Sequence, residues 1–344
     1  MQQRDSKSDT QITKDQLEIL SVAEGFFQSR ILFALLNLRI LEIIGEGATP
    51  VADLASQLGA RPDTLSRLLN AGVVVKLLET EDGVTYRLPP AVRSTLLPSA
   101  GENYLGNWLR NLDYCRLALS KLDEAIVNSA PTVDPSRHLG ADAEQTREFA
   151  LGMHNYAALR GKELAHYLDT KGCKTLLDLG CGPGTYAFHL AMRNPDLQVS
   201  LLDLPDILKV AKEVQARYPL KNQINYLALD AVTSEVPGSY DMILVSNTLH
   251  MLGEEASRGL IQRLYASVNH GGSLVIQAQY LNDNLRGGRW PIFLDLAQLC
   301  TTAKGRNHSA GETIQWLSDA GFENVKLQRM SIYNTNGFVR GFKA

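Results

Sequence analysis

From Lys174 onward the chain alternates short apolar runs with helix-forming stretches, and no other feature restricts its fold as much. The runs are TLLDLG, QVSLLDLP, INYLALD, YDMILVSN and SLVIQAQY. They are too short to be buried helices, and they read as strands covered on both faces. Strands separated by helices pair in parallel. The pattern predicts an α/β fold with a doubly wound, Rossmann-like sheet between two helical layers. Beyond a helix at 310–320, NVKLQRMS and GFVRGFKA read as a closing hairpin with at least one antiparallel strand, turning at Asn334 to Gly337.

The segment Asp178-Leu179-Gly180-Cys181-Gly182-Pro183-Gly184 leaves the first of these strands and opens a helix. Glycines there let the backbone turn tightly and approach a bound molecule closely. A dinucleotide loop needs a glycine three residues after Gly182, where this chain has Thr185. Pro183 has no N–H to offer a phosphate, and Asp178 would repel a pyrophosphate and attract a cation. About 20 residues on, Asp203 ends the second strand, the usual position of a ribose acceptor. Asp230 ends the third. Three carboxylates around a glycine loop suit a ligand with a ribose, an amine and a sulfonium. Taken singly, Asp203 and Asp230 are also explained as caps of the turns that follow them.

The N-terminal part obeys a different grammar, and 344 residues at about 150 per domain allow two domains. Residues 17–45 form an apolar, helix-periodic stretch whose apolar positions cover most of the helix circumference, so this surface needs a partner. Next come a threonine-capped helix, a Gly-Ala-Arg-Pro turn, a second helix and a ribbon turning at Glu81-Asp82-Gly83, a winged helix-turn-helix pattern. Residues 101–170 read as further helices. The boundaries are then 1–100 for a mainly helical winged-helix domain, 101–170 for a helical linker and pocket wall, and 171–344 for the α/β domain. A DNA-reading role conflicts with the charge. Residues 41–98 carry seven acids against five bases, a balance of −2, and phosphate contact needs a basic face. No nucleic-acid partner is expected. No apolar run approaching the roughly 18 residues of a membrane span and no signal-peptide pattern is recognised, so a cytoplasmic location is the expectation. Cys115, Cys173, Cys181 and Cys300 lack metal-ligand spacing and read as reduced thiols, and no metal is expected.

The motifs LLDLGCGPGTY, LLDLPD, LALDA, SNTLH and NHGGSLVIQ together resemble the S-adenosylmethionine-dependent O-methyltransferases of the plant caffeate and bacterial small-molecule type, over nearly the whole chain. The resemblance implies a class I methyltransferase sheet of order 3-2-1-4-5-7-6, with the winged helix serving dimerisation and walling the substrate pocket. It implies S-adenosyl-L-methionine as cofactor, a homodimer, and a small hydroxylated acceptor of aromatic or polyketide-like kind. Carried onto this sequence, Asp178, Gly180, Gly182 and Gly184 meet the amino-acid portion of the cofactor. Asp203 with Leu204 takes the ribose, and Asp230 with Ala231 the adenine side. Ser246 and Asn247, at the end of strand four, complete the set. GG in NHGGSLVIQ should end the helix before strand five.

Methyl transfer from a sulfonium needs a positioned acceptor and a group to take its proton. A histidine, with an ordinary pKa near 6.5, is a sensible base for a phenol near 10. His250 ends strand four on the same edge as the acids and falls on the family's catalytic histidine; capping of the next helix is its alternative role. Met251 and Leu252 replace the Asp and Trp of plant members, and Ser246 replaces their lysine. In Lys304 to Ser309, Asn307 stands where plant relatives carry a glutamate that braces the histidine. His308 either shares the proton work or only hydrogen-bonds the acceptor. Met153 matches a methionine that clamps flat substrates, and His154 lies beside it. Leu294, Asp295, Gln298 and Thr302 lie at spacings that share one helix face and resemble the family's acceptor wall. C- or N-methylation, or a family member that transfers no methyl group, fits the same scaffold.

Overall fold

The computed structural model of the chain describes residues 12–284, 288–330 and 336–344. It divides into two compact units, Met1–Ala100 and Gly101–Ala344, so the helices of 101–170 belong with the sheet.

In the first unit the apolar stretch forms two helices. Helix α1 (Lys14–Asn37) opens with a capping box, in which Thr13 Oγ1 accepts from the Gln16 N–H at 3.2 Å and Gln16 Oε1 from the Thr13 N–H at 2.8 Å. It stops at Arg39, whose φ of 55° breaks the helical path before α2 (Ile40–Ile44). Strand β1 (Ala48–Pro50), α3 (Val51–Leu58), α4 (Pro62–Val74), β2 (Thr85–Arg87) and α5 (Pro90–Leu96) complete the unit. Thr49 does not cap α3. It sits in β1 opposite Tyr86, and Pro50 occupies the cap position. The wing is reduced to one bridge, Glu79 with Arg87, around a turn whose Val84 and Thr85 N–H groups both donate to Asp82 Oδ1.

Helix α1 also overturns the expectation that no segment has the length and apolarity of a membrane span. An 18-residue window has a mean hydropathy of 1.5, because its charges are few and widely spaced, and only 17% of that window is buried. Length and composition alone set this criterion, and a core helix or a segment near an N-terminus meets it equally well. Val22 (83% exposed), Ile19, Phe26 and Phe27 face outward, while Phe33, Leu35 and Leu36 are buried within the unit.

The second unit begins with α6 (Gly106–Leu119), α7 (Leu122–Asn128) and α8 (Ala143–Tyr167). The alternation follows: β3 (Thr175–Leu179), α9 (Thr185–Arg193), β4 (Gln198–Asp203), α10 (Pro205–Gln215), β5 (Ile224–Ala228), β6 (Tyr240–Ser246), α11 (Glu254–Ala266) and β7 (Val268–Gln279). Helices α12 (Arg289–Thr301) and α13 (Ala310–Asp319) precede β8 (Glu323–Arg329) and β9 (Asn336–Phe342). The sheet order is β5-β4-β3-β6-β7-β9-β8, which in the unit's own count is 3-2-1-4-5-7-6. β3 to β7 run parallel, and β9 is antiparallel to both neighbours. This is the class I methyltransferase architecture. Gly271 and Gly272 lie inside β7 near a register shift against β6, so they do not end α11. The hairpin turn assigned to Asn334–Gly337 falls partly outside the described residues, and Asn336 and Gly337 already belong to β9.

Side chains alternate across the strands and build one core on each face. Leu176, Val199, Leu201, Leu244 and Val275 pack in the cluster that includes residues of α8, α9 and α10. Leu177, Leu179, Ile243, Val245 and Ile276 pack in the one that includes residues of α11 and α13. The amino edge is fixed by one carboxylate. Asp241 Oδ2 accepts from the Lys174 and Thr175 N–H groups at 2.8 and 3.1 Å, and Oδ1 from Asn269 Nδ2 at 2.9 Å. Burial opposes ionisation of Asp241, but these hydrogen bonds outweigh it and hold the pKa below the usual carboxylate range. Asp241→Ala should cost about 1–3 kcal/mol, the penalty of stranding these donors, as read from the urea midpoint at unchanged slope.

Candidate active site

The glycine loop is tied to the end of β4. The Gly180 and Cys181 N–H groups donate to the Leu202 carbonyl at 2.9 and 3.2 Å, and the Gly182 N–H donates to Asp203 Oδ2 at 2.8 Å. Asp203 Oδ1 accepts from the Leu204 N–H at 2.7 Å. Gly182 has φ +54° and open space where a Cβ would stand, as a loop that receives a ligand requires. Asp203 is pushed up to about 6 by burial, against the pull of its two backbone donors.

Asp178, in β3 behind the loop, is 1% exposed, and neither carboxyl oxygen has a hydrogen bond. Burial and the nearby Asp203 carboxylate raise it to about 8. The first-turn N–H of Ala187 in α9 lowers it slightly without reaching hydrogen-bond geometry. An orphaned buried carboxyl beside an open glycine loop fits a ligand that brings its own cation. Asp230, by contrast, is exposed. Its oxygens accept from the Val232 N–H and Thr233 Oγ1, both at 2.8 Å, so in this structure it caps its turn, with Ala231 inside that turn.

Ser246 and Asn247 end β6. Asn247 has φ 50°, and its Nδ2 donates to Gln277 Oε1 at 2.7 Å and to the Tyr186 hydroxyl at 3.2 Å. Ser246 Oγ also donates to Gln277 Oε1, while Gln277 Nε2 donates to Asn336 Oδ1 at 2.7 Å. This buried network links β6, β7, β9 and α9. The sequence reading missed Gln277 and Asn336, although a glutamine inside the apolar run SLVIQAQY was a signal.

Contrary to expectation, His250 does not end β6 but lies beyond it on a 3-10 turn, Leu249–Met251, and lines a small cavity with Leu249, Ile276, Ala278, Gln279, Tyr280, Asn307, His308 and Thr313. The cavity thus unites both candidate catalytic histidines with Asn307. Burial, and secondarily the charge His308 would carry, lowers His250 to about 4. Asn307 is buried: its Nδ2 donates to the Pro291 carbonyl at 2.6 Å and its N–H to Asp295 Oδ1 at 2.7 Å. His308 Nε2 lies 3.1 Å from the Leu249 carbonyl. Burial keeps its pKa below the ordinary histidine value.

Gln279 Nε2 donates to the Tyr156 hydroxyl at 3.0 Å, and from there an aromatic series runs outward. Trp108 lies 4.7 Å from Tyr156 and 6.2 Å from Trp290, centroid to centroid. None of these three aromatics was singled out from sequence, since scattered aromatics carry no spacing signal. Gln298 is buried with Oε1 unpartnered, and Leu294 and Met153 are half-buried. His154 is turned into the core behind the loop, its Nδ1 2.9 Å from the hydroxyl of Thr185, the first residue of α9.

The O-methyltransferase domain family matches residues 124–323, and the O-methyltransferase dimerisation domain family matches residues 20–97. The chain belongs to the O-methyltransferase family. It is an S-adenosylmethionine-dependent enzyme, and the Asp178 carboxyl and open Gly182 loop fit that cofactor. Similar proteins include 3-hydroxy-5-methyl-1-naphthoate 3-O-methyltransferase of Streptomyces sahachiroi, 26% identical over 95% of both chains. Another is the tetracenomycin polyketide synthesis 8-O-methyl transferase TcmO of Streptomyces glaucescens, 28% identical over 91% of this chain and 93% of that one. Among solved structures, PigF with SAH superposes at a TM-score of 0.86 with 23% identity, covering 96% of this methyltransferase and all of PigF. Human N-acetylserotonin methyltransferase in complex with SAM gives 0.86 with 19% identity over 97% and 99% of the two chains.

Asp178 makes the stability of the methyltransferase depend on pH with a definite sign. Folding raises this carboxyl from near 3.8 to about 8, so between these values the unfolded chain binds fewer protons and stability falls as pH rises. Asp178→Asn should flatten that slope in Tm measured from pH 5 to 8 without ligand; an unchanged slope would show that the carboxyl is not held protonated.

Proposed function

We propose that this methyltransferase moves a methyl group to a hydroxyl of a flat aromatic, polyketide-type acceptor, with His250 taking the hydroxyl proton. The observation that carries the reading is an imidazole with no hydrogen bond among the described residues, lining a cavity whose wall residue Gln279 bonds to Tyr156, which in turn packs on Trp108 and, through it, Trp290. The two Streptomyces relatives, named for a naphthoate and for tetracenomycin, support an acceptor of fused-ring type. Bound S-adenosylmethionine supplies an electrophilic methyl on a sulfonium. Asp178 neutralises the amino-acid portion, the Gly180–Gly184 backbone passes beside it, and Asp203 with Leu204 takes the ribose hydroxyls. Asp230 and Ala231 would meet the adenine side, and Ser246 and Asn247 would complete the set that holds the cofactor. Met153, Leu294 and Gln298 complete the acceptor wall, and the dimerisation domain brings two copies together.

With its pKa near 4, His250 is neutral at pH 7 and has an unprotonated nitrogen for the hydroxyl proton, while the same burial makes it a weaker base than a solvated imidazole. Asn307 cannot stabilise the resulting imidazolium as a carboxylate would, so the protonated state is short-lived and the proton passes on to solvent.

The test is a screen of hydroxynaphthoates and hydroxyanthraquinones with S-adenosylmethionine. No methylated product from the wild type would reject the acceptor class. On an accepted compound, His250→Ala should lower kcat by about 10² to 10⁴, the share of a general base, with cofactor affinity retained. In the wild type the acid limb of kcat/KM should fall near pH 4; a limb near 6.5, or full turnover by the variant, would remove His250 as base. Asp203→Ala should raise the cofactor Kd, and an unchanged Kd would reject its ribose role.

A further inference from the structure

The backbone that carries His250 is gripped by residues 302–309. The His250 ring makes no hydrogen bond among the described residues, while the turn beneath it is closed by the Met251 N–H on the Thr248 carbonyl at 3.0 Å and the Leu252 N–H on the Leu249 carbonyl at 2.9 Å. Gly305 lies flat on this turn. A Cβ there would stand 2.6 Å from the His250 carbonyl oxygen and 3.1 Å from the Met251 carbonyl carbon, so no side chain fits. Three residues on, His308 Nε2 meets the Leu249 carbonyl at 3.1 Å.

That carbonyl can only accept, so Nε2 carries the hydrogen and Nδ1 is the bare nitrogen. Nδ1 is buried and has no partner. The ring is fixed by Trp316, edge-on at 4.8 Å between centroids. The segment around it is pinned on both sides. Arg306 pairs with Glu312 at 2.7 Å and Glu254 at 3.2 Å, and Ser309 makes a capping box with Glu312. The Asn307 bonds to Asp295 and Pro291 pin it to α12 as well. A donor fixed so firmly sets the height of the Leu249 carbonyl, and with it the direction from which His250 leaves the next Cα.

We propose that His308 is a positioning residue that sets the orientation of His250 through the Leu249 carbonyl and does not itself carry the acceptor's proton. This rests on His250 being the base. Its rival is proton transfer at the bare Nδ1 of the His308 ring, which is one of the residues lining the same cavity.

Two substitutions separate the two roles. His308→Gln keeps an N–H donor at the Nε2 position and cannot titrate; His308→Phe keeps a ring against Trp316 and has no donor. Each is assayed as the full chain with S-adenosylmethionine and a hydroxynaphthoate that the wild type methylates, beside His250→Ala. Positioning predicts that the glutamine variant stays within about threefold of wild-type kcat while the phenylalanine variant loses about 10- to 100-fold, the scale of a small misplacement, with the cofactor KM unchanged in both. A glutamine variant as impaired as the phenylalanine one, at wild-type Tm, would overturn the proposal in favour of Nδ1. A fully active phenylalanine variant would also overturn it. If the phenylalanine variant does not fold, the glutamine variant decides alone, retention supporting the proposal and loss at wild-type Tm rejecting it. Full turnover by His250→Ala would instead remove the base assignment on which both roles depend.

Discussion

The hydrogen bond from the Gly182 N–H to Asp203, 2.8 Å long, joins the two features on which the rest of the site depends. One is a loop that must stay open to a ligand, the other a carboxylate that must stay at the end of β4. With the Gly180 and Cys181 N–H groups already on the Leu202 carbonyl, the loop follows the strand next to it. The place of the glycine loop is therefore set by the parallel pairing of β3 with β4 and by its bonds to the end of β4. Burial then shapes the charge. Asp178 and Asp203 resist ionisation together, and two acids in one dry pocket favour a ligand that carries positive charge.

The fold was legible because its main signals are periodic. Five apolar runs with helices between them dictate a parallel sheet, and every one of them is a strand of that sheet. Errors arose where a residue with a familiar local habit had a distant partner. Thr49 has the composition of a cap but pairs with Tyr86. The glycines after His270 have the composition of a helix stop but sit at the irregular start of β7. Helix α1 was misjudged for a different reason: apolarity around a helix says that a surface wants cover, and not whether lipid, a core or another chain supplies it.

At the site, residues on the ends of strands could be read, since the edge they share follows from the sheet. Asp178 and Asp203 are of this kind; His250 does not end β6, which stops at Ser246, but lies on the turn Leu249–Met251 that follows. What could not be read was contact between segments far apart in the chain. Gly305 against the His250 carbonyl, Gln277 between Asn247 and Asn336, and Gln279 on Tyr156 each join groups separated by tens of residues. Such pairs leave no period in the sequence. His308 is the instructive case: its identity suggested chemistry, and its surroundings give it a main-chain carbonyl.

The order of strands in space departs from their order in the chain twice, where β6 returns to pair with β3 and where β9 lies between β7 and β8. Among the described residues β8 pairs with β9 alone, so its strand partner follows it in the chain. The sequence of β8 suits this position. Along Glu323–Arg329 charged and polar residues alternate with the apolar ones, and most of the strand stays half-exposed or exposed in the finished fold. β9, whose Phe338 and Val339 are buried, arrives later and can enter a site already lined by β7. Of the last two strands, the more polar is the one that precedes its partner in the chain, and the more apolar is the one that finds β7 already there to receive it.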